Sequence, residues 1–522
     1  MTRHATQIND LSDKQRAILE LRLKKRRAGA PQVRLTPQPR GSCSLPLSFA
    51  QQRLWFLDQL NPGSVMYNVP AALRLKGRLD VNALERTLSE IVRRHEILRT
   101  TFDAIGGRPV LTIHPPEPVP LPLIDISEMA EAEREAQGLQ LAYAEMLRPF
   151  NLAQGPLLRV TLVKLGAAEH LMLFTLHHMV SDGWAAGIMI NEVGVLYEAF
   201  AKGHSSPLPE LPIQYADYAY WQSRWLQGEA LEAQLAYWRK ELAPPLPRLN
   251  LTTDFPRPAV QTYRGAAQVL PFPKAVLIEV KRFCAREGVT LFIMLLTVFK
   301  VLLHYHTTQE TILVGTPIAN RDFVECEGLI GCFLNTLVLR TDLSGDPGFR
   351  ELLGRVYEKV LSAHAHQHLP FEKLVDEIQP ERNLHENPLF QVCFTLENAA
   401  PRPPKLTDLD VSFLELESPT VQFDLVMHVV ESEQELLTAL QYSTDLLKAT
   451  TIRRMLSHYE VLLRHILAEP DVRLSRLKAA LAEVDSQQRD VKQREVREAG
   501  LQKLKRVRRK AISQSSSEKV QS

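Results

Sequence analysis

The sequence predicts a mixed α/β protein made of two lobes. The chain has 522 residues, which is long for a single domain. Short apolar runs typical of strands alternate with amphipathic runs typical of helices over residues 44–225, and the same mixture returns over residues 261–480. Eight prolines lie between Pro207 and Pro258. Because proline interrupts regular structure, we place the connection between the lobes at residues 226–260.

The predicted helices have apolar residues at spacings of three and four. One such stretch, residues 81–99, lies in the first lobe, and an aromatic-rich helical stretch runs from Tyr215 to Trp238. Residues 289–303 are almost wholly apolar, which indicates a buried helix in the second lobe. The second lobe also contains predicted strands and helices, at residues 311–319, 336–343, 349–366 and 451–467.

Charged segments flank the two lobes. Residues 1–43 combine an amphipathic leader helix, residues 11–27, with a proline-containing linker. Residues 481–522 are charged, poor in aromatic residues and finally Ser-rich, which is typical of a solvated helix that frays into a disordered tail. The basic segment Leu501–Lys510 within it is expected to assist the docking of acidic partners.

Composition excludes several classes of protein. The formal net charge of +2 argues against nucleic acid as a partner. The five cysteines form no CxxC pair, which suits a reducing compartment. The N-terminus lacks the apolar core of a signal peptide, and the most apolar stretch is too short to span a bilayer and contains Lys300. We therefore expect a cytoplasmic, monomeric protein.

The stretch LFTLHHMVSDGW (Leu173–Trp184) places two histidines at the end of an apolar run. Adjacent side chains of a strand point to opposite faces, so one histidine is expected to face a cavity while the other packs into the protein. Asp182 and Gly183 then follow in a turn. There, Asp182 could orient His178 or pair with an arginine elsewhere.

Two other kinds of site fit the sequence poorly. The G-x-S-x-G elbow of many serine hydrolases does not occur in the chain. His364 and His368 would share one helical face, but no companion carboxylate pattern supports a metal site there. We therefore expect neither a serine nucleophile nor a bound metal.

The HHMVSDGW stretch resembles the HHxxxDG signature of acyltransferases related to chloramphenicol acetyltransferase. Six further stretches resemble the ordered motifs of the condensation domains of nonribosomal peptide synthetases. They are SFAQQRLWFL (Ser48–Leu57), RHEILRTTF (Arg94–Phe102), YADYAYW (Tyr215–Trp221), IGCFLNTLVLR (Ile330–Arg340), HQHLPFE (His366–Glu372) and ERNLHENPLFQ (Glu381–Gln391). With the histidine motif they make seven motifs in the family's order, and the resemblance extends over about residues 44–480. Two departures concern loops: His368 replaces the usual aspartate, and Leu384–Glu386 matches its motif loosely.

The resemblance implies two chloramphenicol acetyltransferase-like α/β sandwich lobes, arranged as a V around a central tunnel. A carrier protein docks at each mouth of the tunnel and presents its substrate on a 4'-phosphopantetheine arm. The enzyme itself then needs no cofactor. A donor thioester meets an acceptor amine, and the product is an amide on the acceptor carrier.

The resemblance also implies roles for the histidine motif. His178 is the residue expected to meet the acceptor amine, and His177 packs beside it. Gly183 leaves room for the substrate arm, and its N–H faces the developing oxyanion. Trp184 narrows the tunnel.

Asp182 is expected to hold its loop through an ion pair. The first candidate partner is Arg321, ahead of Arg340 and Arg264. An Asp182 that pairs in this way has a structural role.

Alternatives stay open at this stage. An epimerisation domain shares the HHxxxDG motif, although the SFAQQRLWFL and RHEILRTTF motifs favour condensation. A hydroxyl acceptor would give an ester through the same site, and a non-catalytic carrier-binding scaffold is a further alternative. Because no adenylation or carrier domain fits in this length, we expect a free-standing enzyme that receives both substrates in trans.

Overall fold

The structure is a computed structural model of the chain. It describes residues 35–40, 45–379, 387–397, 403–416, 419–487 and 489–490. The predicted leader helix at residues 11–27 and the basic segment Leu501–Lys510 lie outside the described residues.

The first lobe is built on a five-stranded sheet. Its strands are β1 (Asn68–Gly77), β4 (Leu123–Asp125), β5 (Leu158–Gly166), β6 (Glu169–His177) and β11 (Leu409–Phe413). They lie in the order β11-β1-β6-β5-β4, with all neighbours antiparallel except β4 and β5. A separate hairpin is formed by β2 (Thr100–Ile105) and β3 (Arg108–Ile113). β11 comes from the second half of the chain, so this sheet draws on residues outside 44–225.

Helices cover both faces of this sheet. They are α1 (Phe49–Leu60), α2 (Val81–Arg94), α3 (Glu131–Met146), α4 (Gly183–Ala201) and α5 (Tyr215–Trp225), with a 3-10 turn at Glu96–Arg99. Met172 and Leu176 of β6 are buried in the core that α2 and α4 share, whereas Leu171 and Leu173 join a smaller cluster with α3. The predicted alternation of side chains along this strand is therefore confirmed up to Leu176.

The second lobe is built on a six-stranded sheet. Its strands are β7 (Gly265–Pro273), β8 (Thr311–Ile318), β9 (Asn335–Asp342), β10 (Val392–Glu397), β12 (Leu425–Glu431) and β13 (Glu435–Ser443). They lie in the order β7-β13-β12-β10-β8-β9. β10 pairs parallel with both β8 and β12, and the other neighbours are antiparallel.

The helices of this half pack into one large apolar core. They are α6 (Gly228–Glu241), α7 (Lys274–Glu287), α8 (Leu291–Thr307), α10 (Phe349–Ala365), α11 (Phe371–Ile378), α12 (Ala449–Ala468) and a helix over residues 474–487. The single turn α9 (Val324–Glu327) differs, because its Cys326 is buried in the core of the first lobe. α8 is buried on nearly every side, as its continuous apolar sequence predicts. No single described helix could cross a membrane by length and apolarity; α7 and α8 meet that test only as a pair, bent by 103°.

The aromatic-rich stretch from Tyr215 to Trp238 forms two helices rather than one. α5 ends before Gly228, which adopts a φ of 55° that interrupts the helix. Leu235 and Trp238 of α6 are buried in the core of the second half. The expected connection at residues 226–260 thus contains a helix that packs with the second lobe.

Residues 35–40, which the sequence places in a linker, pack against α5. The backbone N–H of Gln38 donates to Asp217 at 2.8 Å, and Arg40 pairs with Asp217 at 2.7 Å and with Glu96 at 2.8 Å. The Asp217 side chain is only 1% exposed, so these residues satisfy a buried carboxylate. The segment is therefore part of the folded body.

Candidate active site

The histidine pair lies where β6 ends and a 3-10 turn begins. His177 is the last residue of β6, the turn comprises His178–Val180, and α4 starts at Gly183. The N–H of His178 donates to the carbonyl of Tyr67 at 2.8 Å. The sequence predicts that the strand alternation continues to His178. Because His178 belongs to the turn, the turn and not the strand sets the direction of its side chain.

His177 is buried within the first lobe. Its ring lies against Phe150 and Tyr67, with centroid separations of 5.8 and 6.4 Å, and its side chain is almost inaccessible. Nδ1 accepts a hydrogen bond from the N–H of Met179 at 3.1 Å. Burial lowers the pKa of His177 to about 3. The ring is therefore a neutral acceptor that caps the turn.

His178 is partly accessible and reaches toward the second half of the chain. Its Nδ1 lies 3.6 Å from Sγ of Cys332. Burial lowers the pKa of the imidazole, and the nearby Asp182 carboxylate opposes that shift. His178 is consequently neutral at pH 7, and one ring nitrogen keeps a lone pair that can accept a proton.

Asp182 ties the end of this turn to both halves. Its Oδ1 accepts the N–H of Ala185 at 2.8 Å, which caps α4. Its Oδ2 accepts the N–H of Phe333 at 3.0 Å, and the Arg321 guanidinium lies 3.1 Å from Oδ1. The side chains of the ion pair are each 2% exposed.

The two other arginines considered from the sequence lie elsewhere. Arg340 donates to backbone carbonyls at the C-terminal end of α6. Arg264 pairs with Asp445 at 2.7 Å. Of the three candidates, Arg321 is the one that the fold brings to Asp182.

Gly183 and Trp184 begin α4. A Cβ at Gly183 would meet open space, so the backbone there is accessible to a ligand. The Trp184 ring is half exposed, and its Nε1 donates to the carbonyl of Glu327 in α9 at 3.0 Å. Trp184 thus joins the N-terminus of α4 to the second half.

A second set of contacts links the halves beside His178. Arg53 of α1 pairs with Glu372 of α11 at 3.5 Å and lies over the Phe371 ring. Asn335 holds the start of α11, because its Oδ1 accepts the N–H of Phe371 at 3.0 Å and its Nδ2 donates to the carbonyl of Leu369 at 2.8 Å. We define the lobe seam as Arg53, His178, Asp182, Arg321, Cys332 and Glu372.

Comparison with known proteins places this geometry in a family. The family model of the condensation domain matches residues 42–488. A linear gramicidin synthase of Brevibacillus parabrevis is 46% identical over 463 residues, which are 88% of this chain and 6% of that protein. Phosphinothricin tripeptide synthetase PhsC of Streptomyces viridochromogenes is 39% identical over 473 residues, which are 90% of this chain and 44% of that protein.

A solved structure agrees with the sequence relatives. The crystal structure of the X-domain from teicoplanin biosynthesis matches 85% of this chain and 99% of its own, with a TM-score of 0.78 at 27% identity. This chain belongs to the condensation-domain family. The predicted family and the mixed α/β fold of chloramphenicol acetyltransferase type are confirmed. Condensation domains are acyltransferases that form amide bonds in nonribosomal peptide synthesis, and this one spans less than half of each of the two synthetases named above.

Three seam residues of this condensation domain have no predicted role from the sequence. Arg53, Cys332 and Glu372 each lie inside one of the motifs that carry the family resemblance, yet none was given a role. Their motifs were a usable signal. These motifs lie far apart along the chain, and the sequence alone does not show that they meet at one histidine.

The two histidines considered for a metal site do not converge in this condensation domain. His364 interacts with Gln367 at 3.0 Å, whereas His368 lies 3.3 Å from Asp322 and against the Trp225 ring. The histidine that replaces the usual aspartate thus meets a carboxylate of the neighbouring loop.

Proposed function

We propose that this condensation domain joins a carrier-bound acyl or peptidyl thioester to an amine, in nonribosomal or hybrid polyketide–peptide biosynthesis. The amine nitrogen attacks the thioester carbonyl, a C–N bond forms, and the C–S bond breaks. The phosphopantetheine thiol leaves, and the proton lost by the amine balances the thiolate. The observation that carries the proposal is the position of His178, a neutral imidazole at the lobe seam, in a chain of this family.

The reaction needs no covalent acyl-enzyme, because a thioester is already activated. The cysteine nearest to His178 supports this view. Burial raises the pKa of the Cys332 thiol, so it stays protonated and is a poor nucleophile. Holding two tethered reactants in attack geometry can lower the barrier by ~7–11 kcal/mol. Positioning is therefore the main contribution that we assign to the protein.

We assign His178 to the acceptor amine. As a neutral imidazole it can accept the amine proton or hydrogen-bond the amine in attack position. We assign Gly183 to the acyl side, because its backbone N–H lies in the first turn of α4, where helix N–H groups favour negative charge. Trp184 would narrow the substrate path beside it.

The substrates of this proposal arrive on carrier proteins. The 4'-phosphopantetheine arms belong to those carriers or synthetase modules, which act in trans, and the domain contributes no cofactor of its own. We place the reaction in the cytoplasm and expect a monomer. The residue ranges 44–225 and 261–480 remain our proposed lobes, with Leu409–Phe413 added to the first sheet.

The test is condensation between two pre-loaded carriers, followed by mass spectrometry of the acceptor carrier. We expect an amide-linked product with the parental protein and a strongly reduced yield with His178→Ala. An ester formed with a hydroxy-acyl acceptor, and no amide, would instead assign a hydroxyl substrate. Carrier binding without any product over the donor and acceptor pairs tested would favour a non-catalytic scaffold.

A further inference from the structure

The His178 imidazole contacts a cysteine that the proposed reaction does not use. Sγ of Cys332 lies 3.6 Å from Nδ1 of His178, a distance suited to a hydrogen bond with sulfur. Cys332 is only 3% exposed. The contact joins residues that are 154 positions apart in the chain, so it depends on the packing of the two halves.

The backbone around Cys332 is held from two directions. The hydroxyl of Tyr215 donates to the carbonyl of Cys332, and the N–H of Phe333 donates to Asp182 at 3.0 Å. A Cβ at Gly331 would lie 2.1 Å from the Tyr215 ring, so only glycine allows this close approach. These contacts hold the backbone that carries Cys332 beside the histidine turn.

The groups around the ring act on its protonation in opposite directions. Burial lowers the pKa of the imidazole, and the Arg53 guanidinium adds to that shift. The Asp182 carboxylate and two backbone carbonyls, those of His178 and Ser181, favour the protonated ring, and the carbonyls do so as hydrogen-bond acceptors. The sulfur of Cys332 can also accept, though weakly. A ring nitrogen that faces acceptors keeps its hydrogen. If Nδ1 holds the hydrogen of the neutral ring, Nε2 keeps the lone pair.

We propose that Cys332 is a positioning residue for His178: its sulfur accepts a hydrogen bond from Nδ1–H and selects the tautomer whose Nε2 lone pair is free. The inference rests on the proposed function in one respect: that function supplies the acceptor amine as the group that Nε2 contacts. Cys332 acts through the imidazole and does not itself touch the substrate. The donor direction matters, because a thiol that donated to Nδ1 would leave the hydrogen on Nε2 and remove the proton acceptor.

The direct test is the ring ¹⁵N spectrum of His178 in the full-length chain, with histidine labelling and assignment by loss of the signals in His178→Ala. We expect a protonated Nδ1 and an unprotonated Nε2 at pH 7.5, and a mixture of tautomers in Cys332→Ala. A wild-type spectrum with the hydrogen on Nε2 would overturn the proposal. This measurement needs no substrate, so its result does not depend on the proposed function. A failure of the proposed function would be seen separately, as a wild-type protein that forms no product.

Kinetics supply the second readout. Cys332→Ala should slow single-turnover condensation about 3–10-fold, the loss expected for one weak hydrogen bond, with an unchanged half-saturating concentration of acceptor carrier. Its pH–rate profile should shift, whereas that of Cys393→Ala should not. Cys393 is a matched control because it is a buried cysteine on β10 that packs with Val421 and Val426, in a different apolar cluster from Cys332. Equal rates and equal pH–rate profiles for Cys332→Ala and Cys393→Ala would refute the role of Cys332. If Cys332→Ala does not fold, Cys332→Ser provides a second variant.

Discussion

At the scale of single residues, adjacent histidines differ because one ends a strand and the other begins a turn. His177 is enclosed by Phe150 and Tyr67 and caps the turn through Nδ1. His178 lies at the lobe seam against Cys332. The difference predicts that the two residues contribute to different properties, one to stability and the other to rate.

We expect His178→Ala to reduce single-turnover condensation by ~10²–10⁴-fold, because it removes the group that accepts or orients the amine proton. Its melting temperature should change little, since the side chain is partly accessible. His177→Ala should lower the free energy of unfolding by about 1–3 kcal/mol, through loss of packing and of a buried hydrogen bond. The measurements are single-turnover rates and thermal melts of both variants. A stable but inactive His177→Ala, or a fully active His178→Ala, would reverse the assignment.

Lys300 gives a residue-scale prediction outside the active site. Its ammonium group is fully buried in α8, and Nζ donates to the carbonyls of Leu339 at 2.7 Å and Ile312 at 3.4 Å. Burial lowers its pKa from 10.5 to about 7. A neutral amine has two hydrogens, which match the two carbonyls.

The lowered pKa predicts how Lys300 changes stability with pH. Above pH 10.5 the amine is neutral in both states, so it carries no penalty. As the pH falls toward 7, the unfolded chain binds a proton that the folded chain does not, and stability falls. Between pH 9.5 and 7 the parental protein should lose about 3 kcal/mol of unfolding free energy relative to Lys300→Met. Urea unfolding at both pH values measures the difference, and parallel pH dependences would mean that Lys300 is charged in the fold.

At the scale of elements, the start of α4 fixes the active-site turn. Asp182 caps α4, accepts the N–H of Phe333, and pairs with the buried Arg321. Three elements of the fold therefore depend on one carboxylate. These contacts give Asp182 a structural role that requires no part in proton transfer.

We expect Asp182→Ala to lower the free energy of unfolding by about 3–5 kcal/mol, because it leaves the charge of Arg321 buried and unpaired. Asp182→Asn is the matched control, since its amide oxygen can still cap α4 while the charge is lost. Its loss of stability should be smaller. Denaturant unfolding of the three proteins measures these differences. An alanine variant with unchanged stability and abolished condensation would indicate a direct catalytic role.

At the scale of the whole molecule, the two halves meet through polar pairs as well as apolar contacts. Arg53 of α1 pairs with Glu372 of α11, and their side chains are 28% and 27% exposed. Solvent screens such a pair, so its contribution to stability is small. We expect the pair to matter more for the rate of condensation than for stability, because it holds α1 and α11 together beside His178.

A double-mutant cycle of Arg53→Ala and Glu372→Ala should give a coupling energy of about 0.5–1 kcal/mol in unfolding. Each single variant should slow condensation as much as the double variant, because either change opens the same contact. The Lys202–Glu198 pair is the control, since it lies at the C-terminal end of α4, with both partners about half exposed. Rates that multiply independently for the Arg53 and Glu372 variants would mean that the pair does not act as a unit.

Much of the fold follows from local patterns in the sequence. The predicted helix at residues 349–366 is α10 (Phe349–Ala365), and the predicted strand at residues 311–319 is β8 (Thr311–Ile318). The apolar stretch around Lys300 is a buried helix, as its composition predicts. Hydrophobic patterns along the chain determine these elements: α10 buries an apolar stripe, whereas α8 and β8 are continuous apolar runs that are buried on most sides.

The arrangement at the active site was decided by tertiary contacts. Three arginines suited Asp182 by sequence, and only the packing of the halves selects Arg321, which lies 139 positions away. The same packing brings Cys332 to His178 across 154 positions and adds β11 to the first sheet. The sequence by itself therefore determined the motifs and most of the helices and strands, since those depend on neighbours along the chain. The tertiary structure alone decided which side chains meet at His178, because hydrogen bonds and ion pairs require distances that sequence spacing does not set.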